Sequence, residues 1–213
     1  MKDIAIYGAG GFGREVACLI ISINKVHPKW NLIGFFDDNL KKGFSNEYGN
    51  VLGSISELNL WNDELAIAIA IGNPVLINNI VDNIYNPLII FPNLLAPDLT
   101  CLDDSTLKLG KGNIICSQSI ISCHVEIGDF NILNLLVTIG HDSKIGSFNV
   151  FMPAVNISGA VSIGNKNFMG VSSAILQQIK IGNGVRIGAG SIVIRKTEDD
   201  FLYIGNPAVK VRF

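Results

Sequence analysis

Several common functional signals are absent from this sequence of 213 residues. It has no dense block of lysine and arginine, and its formal net charge is −2, so it lacks the charge pattern of proteins that bind nucleic acids or anionic membrane surfaces. No apolar stretch reaches the roughly 20 residues that a membrane-spanning helix needs, and Met1 and Lys2 lead directly into a strand-like run. We therefore expect a soluble, cytoplasmic enzyme with neither a nucleic acid nor a membrane as partner.

Cysteine and histidine are also scarce. The four cysteines show no C-x-x-C spacing, so we expect thiols buried as small apolar residues rather than a redox pair. They are Cys18, Cys101, Cys116 and Cys123. The three histidines are His27, His124 and His141, which leaves few candidates for a base with a pKa near neutrality.

The first 92 residues alternate short apolar runs with helical ones. Strands are predicted over 4–7, 32–36, 65–71 and 88–91, with a helix over 14–24 and a second helix opened by Asn73 and Pro74. Asn73 suits a helix cap because its side-chain oxygen can accept from free N–H groups of the first turn. The pattern predicts a small Rossmann-like α/β domain over 1–92, and Pro92 and Pro97 mark a linker over 93–108.

A period of six residues begins at Leu109. Every sixth position from 109 to 193 is apolar, and the following residue is glycine in eight cases of fifteen. Compact residues such as Asn, Ser and Val lie four positions after each apolar one, where they can also face a narrow interior. Three hexads of this kind form one triangular coil of a parallel β-helix, so the sequence predicts five coils over 109–194 and a C-terminal tail over 195–213.

The combination resembles a known family. The hexads, the turn "IGHDSKIG", the closing "IGNPAVKV" and the preceding "GAGGFGREV", "GFFDDN" and "AIGN" are similar to bacterial sugar acyltransferases with left-handed β-helices. That family includes sialic-acid O-acetyltransferases and N-acetyltransferases of nucleotide-linked 4-amino sugars. The resemblance implies the left hand of the helix, acetyl-CoA as acyl donor, a sugar or nucleotide-sugar acceptor, and a homotrimer with active sites between neighbouring chains.

The glycine-rich turn in "IAIYGAGGFGREVACLI" has the G-x-G-x-x-G spacing of a dinucleotide site. Its glycines, Gly8, Gly10, Gly11 and Gly13, let backbone N–H groups approach phosphate oxygens, which suits NAD or a nucleotide-sugar diphosphate equally. Acidic groups that could bind ribose hydroxyls, Asp37 and Asp38, end the second strand. Because the rest of the chain is a β-helix and not a catalytic dehydrogenase domain, we interpret this turn, with Asn73, as the acceptor site. A non-catalytic nucleotide-sugar-binding protein is the alternative.

We expect the catalytic residues to lie in the six-residue repeats. Acyl transfer needs a base, and His141 occupies an outward corner position of its hexad and matches the catalytic histidine of the family. The resemblance implies that an acidic group orients that imidazole. The candidates are Asp142, which follows directly, and a residue of the adjacent subunit. Gly159 lies one coil further on, about 4.8 Å away, where its family counterpart donates its N–H to the thioester carbonyl.

His124 supports a less favoured alternative. It lies one coil before His141, and related γ-type carbonic anhydrases bind zinc through histidines at such corners. Catalytic zinc needs three protein ligands, so Glu126 or a neighbouring chain would have to contribute. We expect no metal.

Some positions depart from the family pattern, and some are apolar outside the hexad pattern. Phe12, Ala96 and Val150 stand where many members have histidine, which leaves the acceptor sugar, the choice between O- and N-acetylation, and the acyl group open. The outward-facing apolar residues are expected at an interface between chains. They are Phe130, Leu136, Phe148 and Phe168.

Overall fold

The computed structural model describes residues 1–211, which divide into two compact units, Met1–Pro97 and a second unit that begins at Asp98. Unit 1 contains three helices and seven strands. The helices are α1 (Gly11–Val26), α2 (Ile55–Asn59) and α3 (Pro74–Asn83). The strands are β1 (Lys2–Tyr7), β2 (Trp30–Phe36), β3 (Ser45–Asn46), β4 (Gly49–Gly53), β5 (Leu65–Ile69), β6 (Ile89–Ile90) and β7 (Leu94–Leu95).

The sheet of unit 1 has the order β3-β4-β2-β1-β5-β6, and only β3 runs antiparallel to its neighbour. Strand β5 is buried along its whole length, as expected for a strand covered on both faces. The predicted strands and helices are present, whereas β4 and α2 were not predicted. The five-residue helix α2 is too short to show an amphipathic period, although Ser54 and Glu57 form a capping box at its start.

The described part of unit 2, residues 98–211, contains three sheets. Sheet I consists of β9 (Lys108–Leu109), β12 (Glu126–Ile127), β15 (Lys144–Ile145), β18 (Ser162–Ile163) and β21 (Lys180–Ile181). Within unit 2, sheet II consists of β10 (Ile114–Ile115), β13 (Ile132–Leu133), β16 (Val150–Phe151), β19 (Phe168–Met169), β22 (Arg186–Ile187), β24 (Leu202–Gly205) and β25 (Ala208–Val211). Sheet III consists of β8 (Thr100–Cys101), β11 (Ile120–Ile121), β14 (Thr138–Ile139), β17 (Asn156–Ile157), β20 (Ala174–Ile175) and β23 (Ile192–Val193).

The chain visits the three sheets in turn, one two-residue strand every six residues from β9 to β23. Each strand from β9 to β20 pairs in parallel with the strand 18 residues later in the chain, as Ile139 does with Ile157. The large apolar residue of each hexad is the second residue of its strand and faces a continuous core. These fifteen strands form the five coils that the period predicts.

A ladder of buried asparagines runs inside one edge of the helix. Asn149 donates its backbone and side-chain N–H groups to Oδ1 of Asn131, both at 2.9 Å. Asn167 donates in the same way to Oδ1 of Asn149. All three are fully buried, so each amide satisfies polar groups of the next coil that the core could not otherwise accommodate. The sequence predicted compact inward residues here but not this ladder.

The turns between sheets share one backbone conformation. The fourth place of each hexad from 112 to 190 has a positive φ, fourteen in succession, and only three of these residues are glycines. A left-handed residue costs a non-glycine side chain about 1 kcal/mol, so the hydrogen-bonded coils must offset that cost. Asp142 is one of these residues, with φ +60°.

Strands extend beyond the predicted limits of the helix. The segment 93–108, predicted as a linker, contains β7, β8 and the first residue of β9, and the predicted tail contains the hairpin β24–β25. The step from β8 to β9 is eight residues instead of six. A search for an unbroken period of six therefore begins only at β9.

The outer apolar residues and the cysteines differ partly from expectation. Phe130 is buried, with its ring stacked on Phe148 at 5.4 Å, because the left-handed turn folds its side chain over Gly112. Phe148 and Phe168 are half-buried, whereas Leu136 is 49% exposed. All four cysteines are free thiols, but only Cys116 is buried. None of the helices in residues 1–211 is long and apolar enough to span a membrane.

Candidate active site

His141 lies at the corner that follows sheet III, here called the third corner. The strand pairs Ile139 with Ile157, Ile157 with Ile175 and Ile175 with Val193 fix the register of four successive coils. The residues two places after these stack in one row, called the third-corner column. Its members are His141, Gly159, Gln177 and Arg195.

His141 and Asp142 form a hydrogen-bonded pair on the surface of this corner. The imidazole Nδ1 lies 2.7 Å from Oδ2 of Asp142, and the two side chains are 61% and 59% exposed. A carboxylate at this distance accepts a hydrogen bond from Nδ1–H, which favours the tautomer whose Nε2 has a free lone pair. The left-handed backbone of Asp142 turns its side chain back towards the preceding residue, so the pair follows from the geometry of the corner.

Gly159 provides the surface on which the imidazole lies. A Cβ atom at this position would be 2.6 Å from Nε2 and 2.7 Å from Cε1 of His141, so no side chain fits there without moving the ring. Among residues 1–211, the backbone N–H of Gly159 has no hydrogen-bond acceptor. A base and a free donor therefore lie side by side on adjacent coils.

The corner that follows sheet I shows which acceptor such a donor has elsewhere in the helix. There the N–H of the third-place residue of one coil donates to a polar side chain of the next coil, as Ser147 donates to Asn165 Oδ1 at 2.7 Å and Asn165 to Asn183 Oδ1 at 2.9 Å. In the third-corner column the equivalent acceptor for the Gly159 N–H would be the side chain of Gln177, and no bond joins the two in the described structure. Glycine at position 159 itself accommodates the imidazole ring and offers no side-chain acceptor to the N–H of His141.

His124 lies at the same corner but one place further along its hexad. Its backbone N–H donates to Oγ1 of Thr106, and its backbone has φ +54°. Within residues 1–211, no three His, Cys, Asp or Glu side chains form a group that could hold a metal ion. Within these residues neither Glu126 nor another side chain joins His124 in such a group.

The glycine-rich turn in unit 1 contains glycines with two different roles. Gly8 has φ +105° and Gly13 packs against it, so that a Cβ on Gly13 would be 1.9 Å from the Gly8 carbonyl oxygen. These two glycines are required by the close contact between β1 and α1. A Cβ on Gly10 or Gly11 would meet nothing within 4 Å. The absence of side chains at these two positions has no explanation in the packing of unit 1.

The first turn of α1 is open. Gly10 is its N-cap, no side chain within residues 1–211 caps it, and the turn contains no acidic residue. By contrast, α3 is capped by Asn73, as predicted, through bonds from the N–H groups of Val75 and Leu76. The free N–H groups and the helix dipole make the start of α1 suitable for an anion. The side-chain oxygen of Asn73 is already used as a cap.

Asp37 and Asp38 are held by bonds within unit 1. Asp37 accepts from the N–H groups of Ala9, Asn39 and Leu40 and so fixes the glycine-rich turn. Asp38 accepts from the N–H of Ile55 and from the Tyr7 hydroxyl at 2.5 Å. Burial and the neighbouring Asp38 raise the pKa of Tyr7. Asp38 also borders a groove of about 520 Å³ between α2 and α3.

Sequence reasoning missed Tyr7, because its side chain was interpreted only as part of a strand. Its position directly before Gly8 was the available signal. Of the three positions that depart from the family histidines, Val150 and Ala96 are buried and Phe12 is half-buried. None of the three can supply an ionisable group.

Comparison with known proteins gives matches at the levels of family and structure. Residues 3–84 match the model of the PglD N-terminal domain. The acetyltransferase domain of PglB from Neisseria gonorrhoeae FA1090 is 26% identical with a TM-score of 0.89, over 99% of this chain and 100% of that one. The complex of that domain with acetyl coenzyme A matches at 27% identity and a TM-score of 0.87, over 99% of both chains.

A third solved structure is similar over nearly the whole chain. WeeI from Acinetobacter baumannii AYE is 25% identical with a TM-score of 0.88, over 99% of this chain and 100% of that one. The search of curated proteins found no match. The fold and these matches define the chain as an acyltransferase of the left-handed β-helix class. Together with the match of residues 3–84 to the PglD N-terminal domain model, these structures confirm the predicted resemblance to bacterial sugar acyltransferases.

Proposed function

We propose that this protein transfers an acetyl group from acetyl-CoA to an amino or hydroxyl group of a nucleotide-linked sugar. The observation that carries the proposal is the arrangement at the third corner, where Asp142, His141 and the free N–H of Gly159 adjoin one another. The full-length similarity to a PglB domain solved with acetyl coenzyme A supports the donor. We further propose that it acts in the cytoplasm and supplies sugars for cell-surface polysaccharides.

His141 acts as the general base. Its Nε2 removes the proton from the acceptor nitrogen or oxygen while that atom forms a bond to the carbonyl carbon of the thioester. The bond between carbon and sulfur then breaks, and the imidazolium returns the proton to the departing sulfur, which gives free CoA. Asp142 keeps Nδ1 protonated and stabilises the transient positive charge.

Gly159 contributes its backbone N–H. Negative charge develops on the carbonyl oxygen of the thioester during attack, and a donor already oriented towards it lowers the barrier. One such donor is worth about 3 kcal/mol. The residues present therefore fit an acyl thioester at this corner without a metal.

The acceptor is held by the glycine-rich turn of unit 1. Gly10 and Gly11 expose the N–H groups of the first turn of α1, and these are the donors that a diphosphate needs. Asp37 contributes by fixing the turn through the N–H of Ala9. We assign Gly8, Gly13, Asp38 and Asn73 to the structure around this site.

The protein is proposed to act as a homotrimer in which a neighbouring chain completes the acyl-donor cleft. Exposed apolar side chains on unit 2, including Leu135, Leu136 and Val171, support an interface between copies. Light scattering should give about 69 kDa, three times the 23.0 kDa of one chain. A fully active species of 23 kDa would exclude the shared cleft.

The function is tested with a panel of sugar nucleotides, including GDP- and UDP-linked 4-amino sugars, and with sialic acid. Release of free CoA is followed with a thiol-reactive dye, and mass spectrometry identifies the acetylated product. At least one acceptor should give turnover that depends on His141. Tight binding of a sugar nucleotide with no CoA release from any acceptor would instead identify a non-catalytic binding protein.

A further inference from the structure

The coil before His141 presents a second imidazole at the third corner. Strands β11 and β14 pair in register, so Cys123 lies one coil before His141 and His124 lies one coil before Asp142, at a spacing of about 4.8 Å. The backbones of His124 and Asp142 share the left-handed conformation, with φ +54° and +60°, so their side chains leave the corner in the same direction. Two adjacent coils thus bring the side chains of these four residues together.

The imidazole of His124 has no partner of its own. It is exposed and forms no hydrogen bond or ion pair with the residues that the structure describes, 1–211. Its backbone is fixed, because the N–H donates to Oγ1 of Thr106 at 2.9 Å. Hydrogen bonds from Ser105 lower the pKa of Asp103, and the charge of the nearby His124 adds to that effect. His124 is therefore held in place while its ring nitrogens remain available to an external group.

The ring of His141 divides the third corner into two sides. It packs against Gly159, where a Cβ atom would be 2.6 Å from Nε2, so the ring covers the following coil. The preceding coil carries the compact side chain of Cys123, which is only half-buried. Two substrates that meet at Nε2 need separate sides. Since the proposed thioester lies against the N–H of Gly159, the side of Cys123 and His124 remains for the acceptor.

This side suits the sugar of the acceptor better than its diphosphate. One coil further towards the N-terminus the same corner carries two carboxylates, Asp103 and Asp104, which repel phosphate groups. A sugar ring presents hydroxyl groups that donate and accept hydrogen bonds. A neutral imidazole offers one donor and one acceptor, so His124 can bond a sugar hydroxyl in either direction.

We infer that His124 forms a hydrogen bond with the sugar of the acceptor and determines which sugars are presented to His141. This assignment rests on the proposed function, because it takes the thioester to lie against Gly159. It gives His124 a role in acceptor specificity that needs neither a metal nor proton transfer.

Steady-state kinetics test the assignment. His124→Ala should raise the KM of the acceptor about tenfold, with kcat and the KM of acetyl-CoA within twofold of wild type. His124→Gln should stay within threefold for the acceptor, because glutamine keeps a donor and an acceptor and adopts the same left-handed backbone at Gln118 and Gln178. Lys166→Ala is the matched control, an exposed residue with φ +58° at the corner after sheet I, and should change no constant. An unchanged acceptor KM in His124→Ala, or an equal rise for acceptor and acetyl-CoA, would overturn the inference.

Calorimetry separates this inference from the proposed function, because it needs no turnover. The ligands are UDP- and GDP-linked 4-amino sugars, each compared with UDP or GDP, which lack the sugar. His124→Ala should lose about tenfold in affinity for the sugar nucleotide that binds wild type and should bind the free diphosphate as wild type does.

If that result is found while no acceptor is acetylated, the sugar contact stands and the proposed function fails. Equal affinity of wild type and His124→Ala for the sugar nucleotide, or equal losses for both ligands, would overturn the sugar contact even in an active enzyme. A wild type that binds none of these sugar nucleotides would overturn both.

Discussion

Replacing Gly159 with alanine should inactivate the enzyme by moving His141, without unfolding the helix. The added methyl group would be 2.6 Å from Nε2, and ordinary contact begins at 3.4 Å, so the ring must move by about 0.8 Å. The φ of Gly159 is not positive and the imidazole is largely exposed, so the ring can move away at little cost in stability. A catalytic group misplaced by about 1 Å costs on the order of 10²-fold in rate.

The assay is a double-mutant cycle on kcat. Gly159→Ala, His141→Ala and the combination of both are compared with wild type, and Gly72→Ala serves as the control because a Cβ there meets nothing within 4 Å. Since alanine keeps the backbone N–H, the loss should act through the imidazole, and the combined variant should be no slower than His141→Ala alone.

Two outcomes would refute this reasoning. A Gly159→Ala variant with kcat within twofold of wild type would mean that the position of the ring does not matter. Losses that multiply in the combined variant would mean that Gly159 acts independently of His141. Thermal denaturation should show Tm unchanged within about 2 °C, which separates a catalytic effect from misfolding.

Three further predictions concern other parts of the molecule. Asp142→Asn should lower kcat about 10- to 100-fold with little change in Tm, because asparagine tolerates the left-handed backbone but cannot stabilise an imidazolium; unchanged turnover would exclude Asp142 from orienting the base. Asn149→Ala should lower the free energy of unfolding by about 3 kcal/mol in chemical denaturation, because it leaves buried amide groups unpaired. The same substitution at the exposed Asn156 should lower the free energy of unfolding by less than about 1 kcal/mol. Gly10→Ala should raise the KM of the acceptor without changing Tm. The control Gly8→Ala should lower Tm, because its Cβ would be 2.7 Å from a backbone oxygen. An unchanged KM in Gly10→Ala would contradict phosphate binding at this turn.

The six-residue repeat was predictable because the same packing requirement applies to every hexad. A large residue must face the core once per strand, so the six-residue period is visible in the sequence alone. The same period places His141 and Gly159, which are 18 residues apart, on adjacent coils. Helix α3 was predictable because Asn73 and Pro74 are strong local signals at its start.

Other features depend on contacts that no local pattern records. The roles of Asp37 and Asp38 as internal acceptors arise from backbone groups brought together by the sheet, as with Ala9 and Ile55. Phe130 was expected at the surface because its hexad place is an outward one, but its ring lies over Gly112 and stacks on Phe148, which buries it. The eight-residue step between β8 and β9 likewise concealed the true start of the helix.

The most direct test of the central claim is the acetylation of a sugar nucleotide by wild type and by His141→Ala, measured by mass spectrometry of the product. Wild type should acetylate at least one acceptor, and the variant should retain its fold while kcat falls by about 10² to 10⁴, the usual contribution of a general base. A variant that acetylates the same acceptor at near-native rate would remove His141 from the mechanism and contradict this account.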